Sequence, residues 1–366
     1  VSQRPTVGVE SQGHARVADV RVAAGPLRAI GWKAGLAGVA VVGAVLAGIL
    51  VGPAGLTPRG VLLELVGALP GIETDSGLSS QQASILWNIR LPRVVLGMVV
   101  GAMLALAGSA YQGVFRNPLA DPYLLGVSSG AGLGATIAMV SGGTVAGFGV
   151  PVLAFVGGLA GVAATYALGT TVRGAGGGQT TTVIILAGVA VAAFFNAVQT
   201  FVQQRFDDSL RSVYAWMLGR LSTDGWSDLV TILPYVVVAA VVILLHRRAL
   251  DVMALGDVEA AALGVDPART RLVLVLASTL GTAAVVSVSG LIGFVGIVVP
   301  HAVRLLFGAS HRSLLPLALA FGAAFLVVAD VMARSLMAPA ELPIGVVTAF
   351  VGAPFFVLVL VQRSRR

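Results

Sequence analysis

Uncharged apolar runs of about twenty residues recur along the whole of this chain, the length an α-helix needs to cross the hydrocarbon core of a bilayer. They lie near 34–51, 94–115, 123–141, 144–172, 180–204, 229–245, 272–289, 292–307, 313–329 and 342–361. With 57% hydrophobic and 11% charged residues, against about 25% charged in soluble domains, the chain has too few charges to cover a water-exposed surface. A membrane β-barrel would alternate over segments of ~10 residues, whereas Val236–Leu245 is apolar at consecutive positions. The expectation is an all-α polytopic membrane protein with about ten transmembrane helices.

The uncharged stretch from Leu272 to Val303 is too long for one upright span, and Gly290, Gly293 and Gly296 fall in its middle, where glycine weakens a helix. It divides into two spans, the second short. Forty-seven glycines suggest close packing through small helix faces, although small residues are common in membrane helices generally and no specific pairing is assigned.

The net charge of +7 raises nucleic acid as a partner, and the location of the positives excludes it. With the N-terminus inside and ten alternating spans, most of the 23 Lys and Arg fall in cytoplasmic segments, as the positive-inside rule requires. Only Arg59, Arg90, Arg93, Arg205, Arg211, Arg220 and Arg334 are left outside. Both termini are therefore expected in the cytoplasm and the protein in the plasma (inner) membrane. Residues 1–33 read as a cytosolic tail and 34–362 as one transmembrane domain. A leader of thirty-odd residues with no small-x-small cleavage site favours a retained first span over a signal peptide. With no cysteine, disulfides and thiolate metal sites are excluded.

Between the runs, 52–88 is rich in Pro and Gly and reads as an extracytoplasmic loop with a short helix near 61–68. The Gly-rich turn at 173–179, with Gly177 and Gly178, precedes Thr180 and Thr181, which open the next helix. That turn reads as a connector, with a moving cytoplasmic gate as the other reading. Residues 206–228 are amphipathic, with Tyr214, Trp216 and Trp226 among charges, as in a helix near the outer interface. The most polar inner loop, 247–271, repeats apolar positions Leu255, Val258, Ala261 and Ala262 at helical spacing, with Gly256 and Gly264 punctuating two short helices.

A membrane chain of this kind that pumped a solute would need an energy source. The phosphate-cradling loop of an ATPase ends in Gly-Lys-Ser/Thr, and the one lysine, Lys33, is followed by Ala34. Any ATP hydrolysis must then come from a partner subunit, which would hold the ATP and Mg2+. Coupling to an ion gradient, the alternative for a secondary transporter, calls for carboxylates in mid-membrane. No run carries one near its centre. Asp330 stands at a run's end beside Arg334, four residues on, which favours an ion pair, and Glu341 is also at an edge. The histidines are scattered without ligand spacing, so iron, if carried, travels inside a chelate and the chain holds no metal or other cofactor itself.

Three blocks, in order, carry a resemblance. The first is Arg90-Leu-Pro-Arg93, then Gly-Ala-x-Leu-Ala-x-x-Gly ending at Gly108, then Gln112 and Arg116-Asn117-Pro118-Leu-Ala-Asp-Pro. The second is Leu255 to Gly264, and the third runs from Gly290 through Pro300, His301, Arg304 and His311 to Glu341-Leu-Pro-Ile-Gly345 and Gly352-Ala-Pro-Phe355. Over about residues 34–362 the chain resembles the permease subunits of ABC importers for iron chelates, haem and cobalamin. The resemblance implies a dimer with a second copy or a homologous permease, two ATPase subunits below and an extracytoplasmic substrate-binding protein above. It also implies that Leu255, Gly256, Asp257, Glu259, Ala260, Ala261, Leu263 and Gly264 couple to the ATPase, and that Arg90, Arg93 and Arg334 dock the binding protein. A ferric siderophore is the favoured cargo among iron chelates, with haem or cobalamin as the others.

Overall fold

The computed structural model describes residues 26–52, 55–72, 74–173, 180–222 and 225–364. The described chain is helical apart from its connections and one two-residue hairpin, Thr144–Val145 with Phe148–Gly149. In order the helices are α1 (Pro26–Leu50), α2 (Pro58–Gly67), α3 (Ser80–Ile85), α4 (Leu91–Val114), α5 (Val127–Val140), α6 (Val150–Arg173), α7 (Thr180–Arg205), α8 (Leu210–Met217), α9 (Ser227–Leu245), α10 (Arg247–Met253), α11 (Asp257–Ala262), α12 (Pro267–Ser289), α13 (Val295–Phe307), α14 (His311–Ser335) and α15 (Ile344–Ser364). A π-helical turn, Leu86–Arg90, leads into α4, so α3 and α4 run on as one rod from Ser80.

Seven of these helices are long and apolar enough to cross a membrane, and α5, α13 and α15 are shorter apolar helices. Each expected run falls on one member of this set. At 1.5 Å per residue the 13 residues of α13 reach only about 20 Å, short of the ~30 Å hydrocarbon core. This helix is preceded by the non-helical segment Gly290–Phe294, whose Gly290 and Ile292 are buried in protein, where irregular backbone at membrane depth is tolerated. A 3-10 turn, Pro122–Leu125, precedes α5.

The core is built around α4 and α12, whose apolar windows are 78% and 72% buried, while those of α1 and α9 are 22% and 28% buried. The outer helices therefore turn residues such as Val39, Phe201 and Val230 outward, which only a lipid environment makes favourable. α5 and α6 pack backbone to backbone: a Cβ on Gly130 would lie 2.1 Å from the carbonyl oxygen of Gly157. The abundant glycines thus include specific crossing points, which composition alone did not assign.

Two boundaries differ from expectation. α1 starts at Pro26 rather than at 34, because Arg28 and Lys33 end the uncharged run without ending the helix. The amphipathic segment near 206–228 forms a 3-10 turn, Asp207–Ser209, and the eight residues of α8, and its Trp216 is buried in a cluster with Ala131, Ala135 and Val286 while Tyr214 and Trp226 are exposed.

Candidate functional site

Beyond α9 the chain makes two short helices at one end of the bundle, α10 packed against it through buried Leu250 and Met253, and α11 more open. Gly256, at φ 133°, turns the chain between α10 and α11, and Gly264, at φ 82°, follows α11. This register leaves Leu255, Val258 and Leu263 at 64%, 79% and 63% exposure, with Ala261, Ala262 and Gly264 exposed among them. Ala260, expected on this surface, is fully buried and packs inward, because the short helix must turn one face to the bundle. Val258, which the sequence placed only in the apolar pattern, is the most exposed of the group. The tip therefore carries a cluster of exposed apolar side chains, the surface chemistry that partner contacts use.

The tip is tied to the bundle by charge. Asp257 at the start of α11 accepts from Arg116 at 3.0 Å and from Arg271 of α12 at 3.1 Å. Arg116 sits just past the end of α4 in the left-handed region, φ 49°. Gln112, one turn earlier on α4, donates to the Gly296 carbonyl at 3.1 Å and accepts from Arg304 at 3.0 Å, both on α13. Its own carbonyl accepts from the Asn117 N–H, and the Asn117 side chain accepts from the Leu119 N–H, which folds the turn through Pro118. α4 and α13 also cross at Gly108 and Gly296, where a Cβ on Gly108 would fall 2.0 Å from the Gly296 carbonyl oxygen. Pro300 lies buried in α13, and His301 meets the ring of Phe355 edge-on at 5.7 Å. The motif residues Gln112, Arg116, Asn117, Pro118, Pro300 and His301 therefore join α4, α11, α13 and α15.

Asp251 of α10 anchors a second helix. Its carboxylate accepts from the Ser310 hydroxyl at 2.9 Å and from the His311 backbone N–H at 2.6 Å, and faces the His311 Nδ1 at 2.9 Å. These contacts cap the start of α14 from outside that helix. Burial pushes the Asp251 carboxyl up, but the bonds from His311 and Ser310 outweigh it and hold it below the usual carboxylate range.

At the opposite end, Arg90, Arg93 and Arg334 come together, though not as three outward-facing cations. Arg90 donates to the carbonyl of Ile49, and Arg334 to that of Gly48, so both cap the C-terminal end of α1, where carbonyls lack helical partners. They are 5% and 8% exposed. Arg93 binds Asp330 at 2.8 Å and Glu341 at 2.9 Å, and Arg334 pairs with Asp330 at 3.3 Å as the i,i+4 spacing suggested. Glu341 is the exposed member of this cluster. The carboxylate nearest to a gradient-coupling site, Asp330, is thus held between two arginines.

Gly177 and Gly178 lie outside the described residues, while Thr180 and Thr181 open α7. No group of three or more His, Cys, Asp and Glu among the described residues is placed to hold a metal.

Residues 40–362 match the model of the FecCD transport family. The chain belongs to that family. It is 39% identical to the cobalamin import system permease of Halobacterium salinarum, over 93% of this chain and 98% of that protein. To the hemin transport system permease of Yersinia pestis it is 42% identical, over 77% of this chain and 85% of the relative. Among solved structures it resembles an inward-facing ABC transporter of the metal-chelate type, with a TM-score of 0.77 and 29% identity over 91% of this chain and 99% of that one. The FecCD member described here is a multi-pass membrane permease, a translocation subunit of an ABC importer. ATP hydrolysis belongs to a separate subunit.

Proposed function

We propose that this permease carries a metal chelate into the cytoplasm, driven by ATP and Mg2+ on ATPase subunits that grip α11. The observation that carries this reading is the open apolar tip of Leu255, Val258 and Leu263, held to α4 and α12 through Asp257. A partner moving that tip also moves Arg116 and, one turn back, the Gln112 contacts with α13. Ten spans with both termini inside put this end in the cytoplasm, as the excess of arginines in its loops supports.

The relatives transport cobalamin and hemin, and a chelated metal, with a ferric siderophore as first candidate, is the cargo proposed here. A second permease copy or a homologue completes the pathway, with α7 and α15 offering exposed Phe201 and Phe350. An extracytoplasmic binding protein delivers the chelate at the end carrying Arg93 and Glu341.

Replacing Ala261 with Arg tests the coupling surface. Uptake and copurification of the ATPase should both be lost while the permease still inserts; undiminished uptake would place the contact elsewhere. The ligand retained by the cognate binding protein on isolation identifies the cargo.

A further inference from the structure

On the same end of the bundle, but away from α11, a groove of about 990 Å³ opens between α1, α14 and the start of α10. Its walls are apolar along their length: Gly38, Val41 and Val42 of α1 face Pro316, Leu317 and Ala320 of α14. Its rim is basic. Lys33, Arg247, Arg248 and Arg312 all line it, from three different helices. Lys33 is held in place by donating to the Phe307 carbonyl at 2.8 Å, which leaves two of its N–H groups free to bind. Arg247, Arg248 and Arg312 are exposed. The nearby carboxylate, Asp251, is already committed to Ser310 and His311 and lies 4.0 Å from Arg312, so it leaves most of the rim charge uncompensated.

We infer that this groove binds one anionic phospholipid of the cytoplasmic leaflet, with its phosphate among Lys33, Arg247, Arg248 and Arg312 and an acyl chain along the α1–α14 cleft. The inference rests on the orientation proposed above, which puts this end at the cytoplasmic face. Two features select such a lipid together. Four cations at one mouth match a phosphate diester in a leaflet whose surface is negative. A cleft that continues the rim into apolar helix faces takes a chain and has nothing to offer a soluble anion. The groove is also placed to matter, since α14 begins at His311, which Asp251 ties to α10. A lipid wedged there would brace the base from which α11 projects.

The test is lipid retention by the full-length permease, measured by native mass spectrometry after exchange into detergent with equimolar phosphatidylglycerol and phosphatidylcholine. The wild type should keep phosphatidylglycerol in preference. Basic side chains near an anionic lipid surface each contribute roughly fivefold in affinity, so Arg247→Gln, Arg248→Gln and Arg312→Gln together should weaken retention on the order of a hundredfold. The same three positions changed to Lys should keep most of it. Gly38→Leu has open space for its side chain, with no atom within 4 Å of an added Cβ, and should fill the cleft and lower retention without touching the charges. Equal retention of the two lipids by the wild type would overturn the proposal, as would an unchanged preference in the Gln variant. Displacement of the lipid by millimolar inorganic phosphate would overturn it in favour of a free-anion site. The Gln variant should still copurify the ATPase, so a failed lipid readout leaves the coupling assignment standing.

Discussion

Arg116 and Asp257 meet at 3.0 Å, so the turn that ends α4 and the exposed helix α11 are joined by a charge pair that also engages Arg271. Arg116 and Asp257 are both close to half exposed, and an exposed pair of this kind contributes only ~0.2–1 kcal/mol to stability. On the proposed coupling through α11, the pair matters for transmission, because Asp257 links α11 to Arg116 at the end of α4 and to Arg271 of α12.

Asp257→Ala should therefore separate function from stability. The melting temperature in detergent should fall by a few degrees at most, while uptake drops severely and ATP hydrolysis by the assembled importer continues uncoupled. A double-mutant cycle with Arg116→Ala measures the pair directly, and additive losses in transport would mean that the two residues act separately.

Val258 presents the largest apolar exposure on the tip. Val258→Asp puts a charge where a partner would desolvate it, at a cost of several kcal/mol to association. Copurification of the ATPase should be lost with no change in the permease's own thermal unfolding. Retained copurification would remove α11 from the interface.

The crossing of α4 and α13 makes a sharper structural prediction. In Gly108→Ala the added Cβ meets the backbone of Gly296 at 2.0 Å, and backbone cannot swing aside as a side chain can. The helices must separate, a strain typically costing about 1–3 kcal/mol. Gly293→Ala, with nothing within 4 Å of the added Cβ, is the control and should unfold with the wild type. Thermal unfolding in detergent compares the two.

Asp251 gives a pH dependence whose sign follows from its hydrogen bonds. Its folded pKa is below the ordinary value, so its contribution is fully present above the unfolded carboxylate pKa of about 3.9 and is lost as pH falls through the lower folded value. Asp251→Asn should lower stability at neutral pH and flatten the acid limb of the stability curve. Parallel acid limbs in both proteins would refute the cap.

The helices were legible because hydropathy is a one-dimensional signal, and a run such as Leu272–Val303 carries its own break at Gly290. The two short helices at 247–264 were legible for the same local reason, since Gly256 and Gly264 mark their ends. What a residue meets across the bundle was not. Nothing near Gly108 in the sequence names Gly296 as its partner, and nothing near Arg90 shows that the end of α1 will sit over it. A run boundary says only that an arginine is at a membrane edge, and burial of Arg90 and Arg334 depends on helices far away in the chain. Ala260 and Val258 exchanged their expected importance because a six-residue helix has one inward face, and periodicity does not say which.

The arginine cluster at the opposite end yields the last prediction, which separates capping from docking. Arg90 and Arg334 donate to the carbonyls of Ile49 and Gly48, and buried hydrogen bonds from charged groups are worth roughly 1.5–3 kcal/mol each. Arg90→Ala should lower the melting temperature while the folded fraction still docks the binding protein at the wild-type rate. Arg93 is the arginine beside the exposed Glu341, so Arg93→Glu should slow docking at low ionic strength, and the difference from wild type should shrink as salt screens the rim. Association kinetics against ionic strength, with unfolding measured on the same samples, decide the matter. A slowed association in Arg90→Ala with an unchanged melting temperature would show that its guanidinium faces the partner and that the cap on α1 is dispensable.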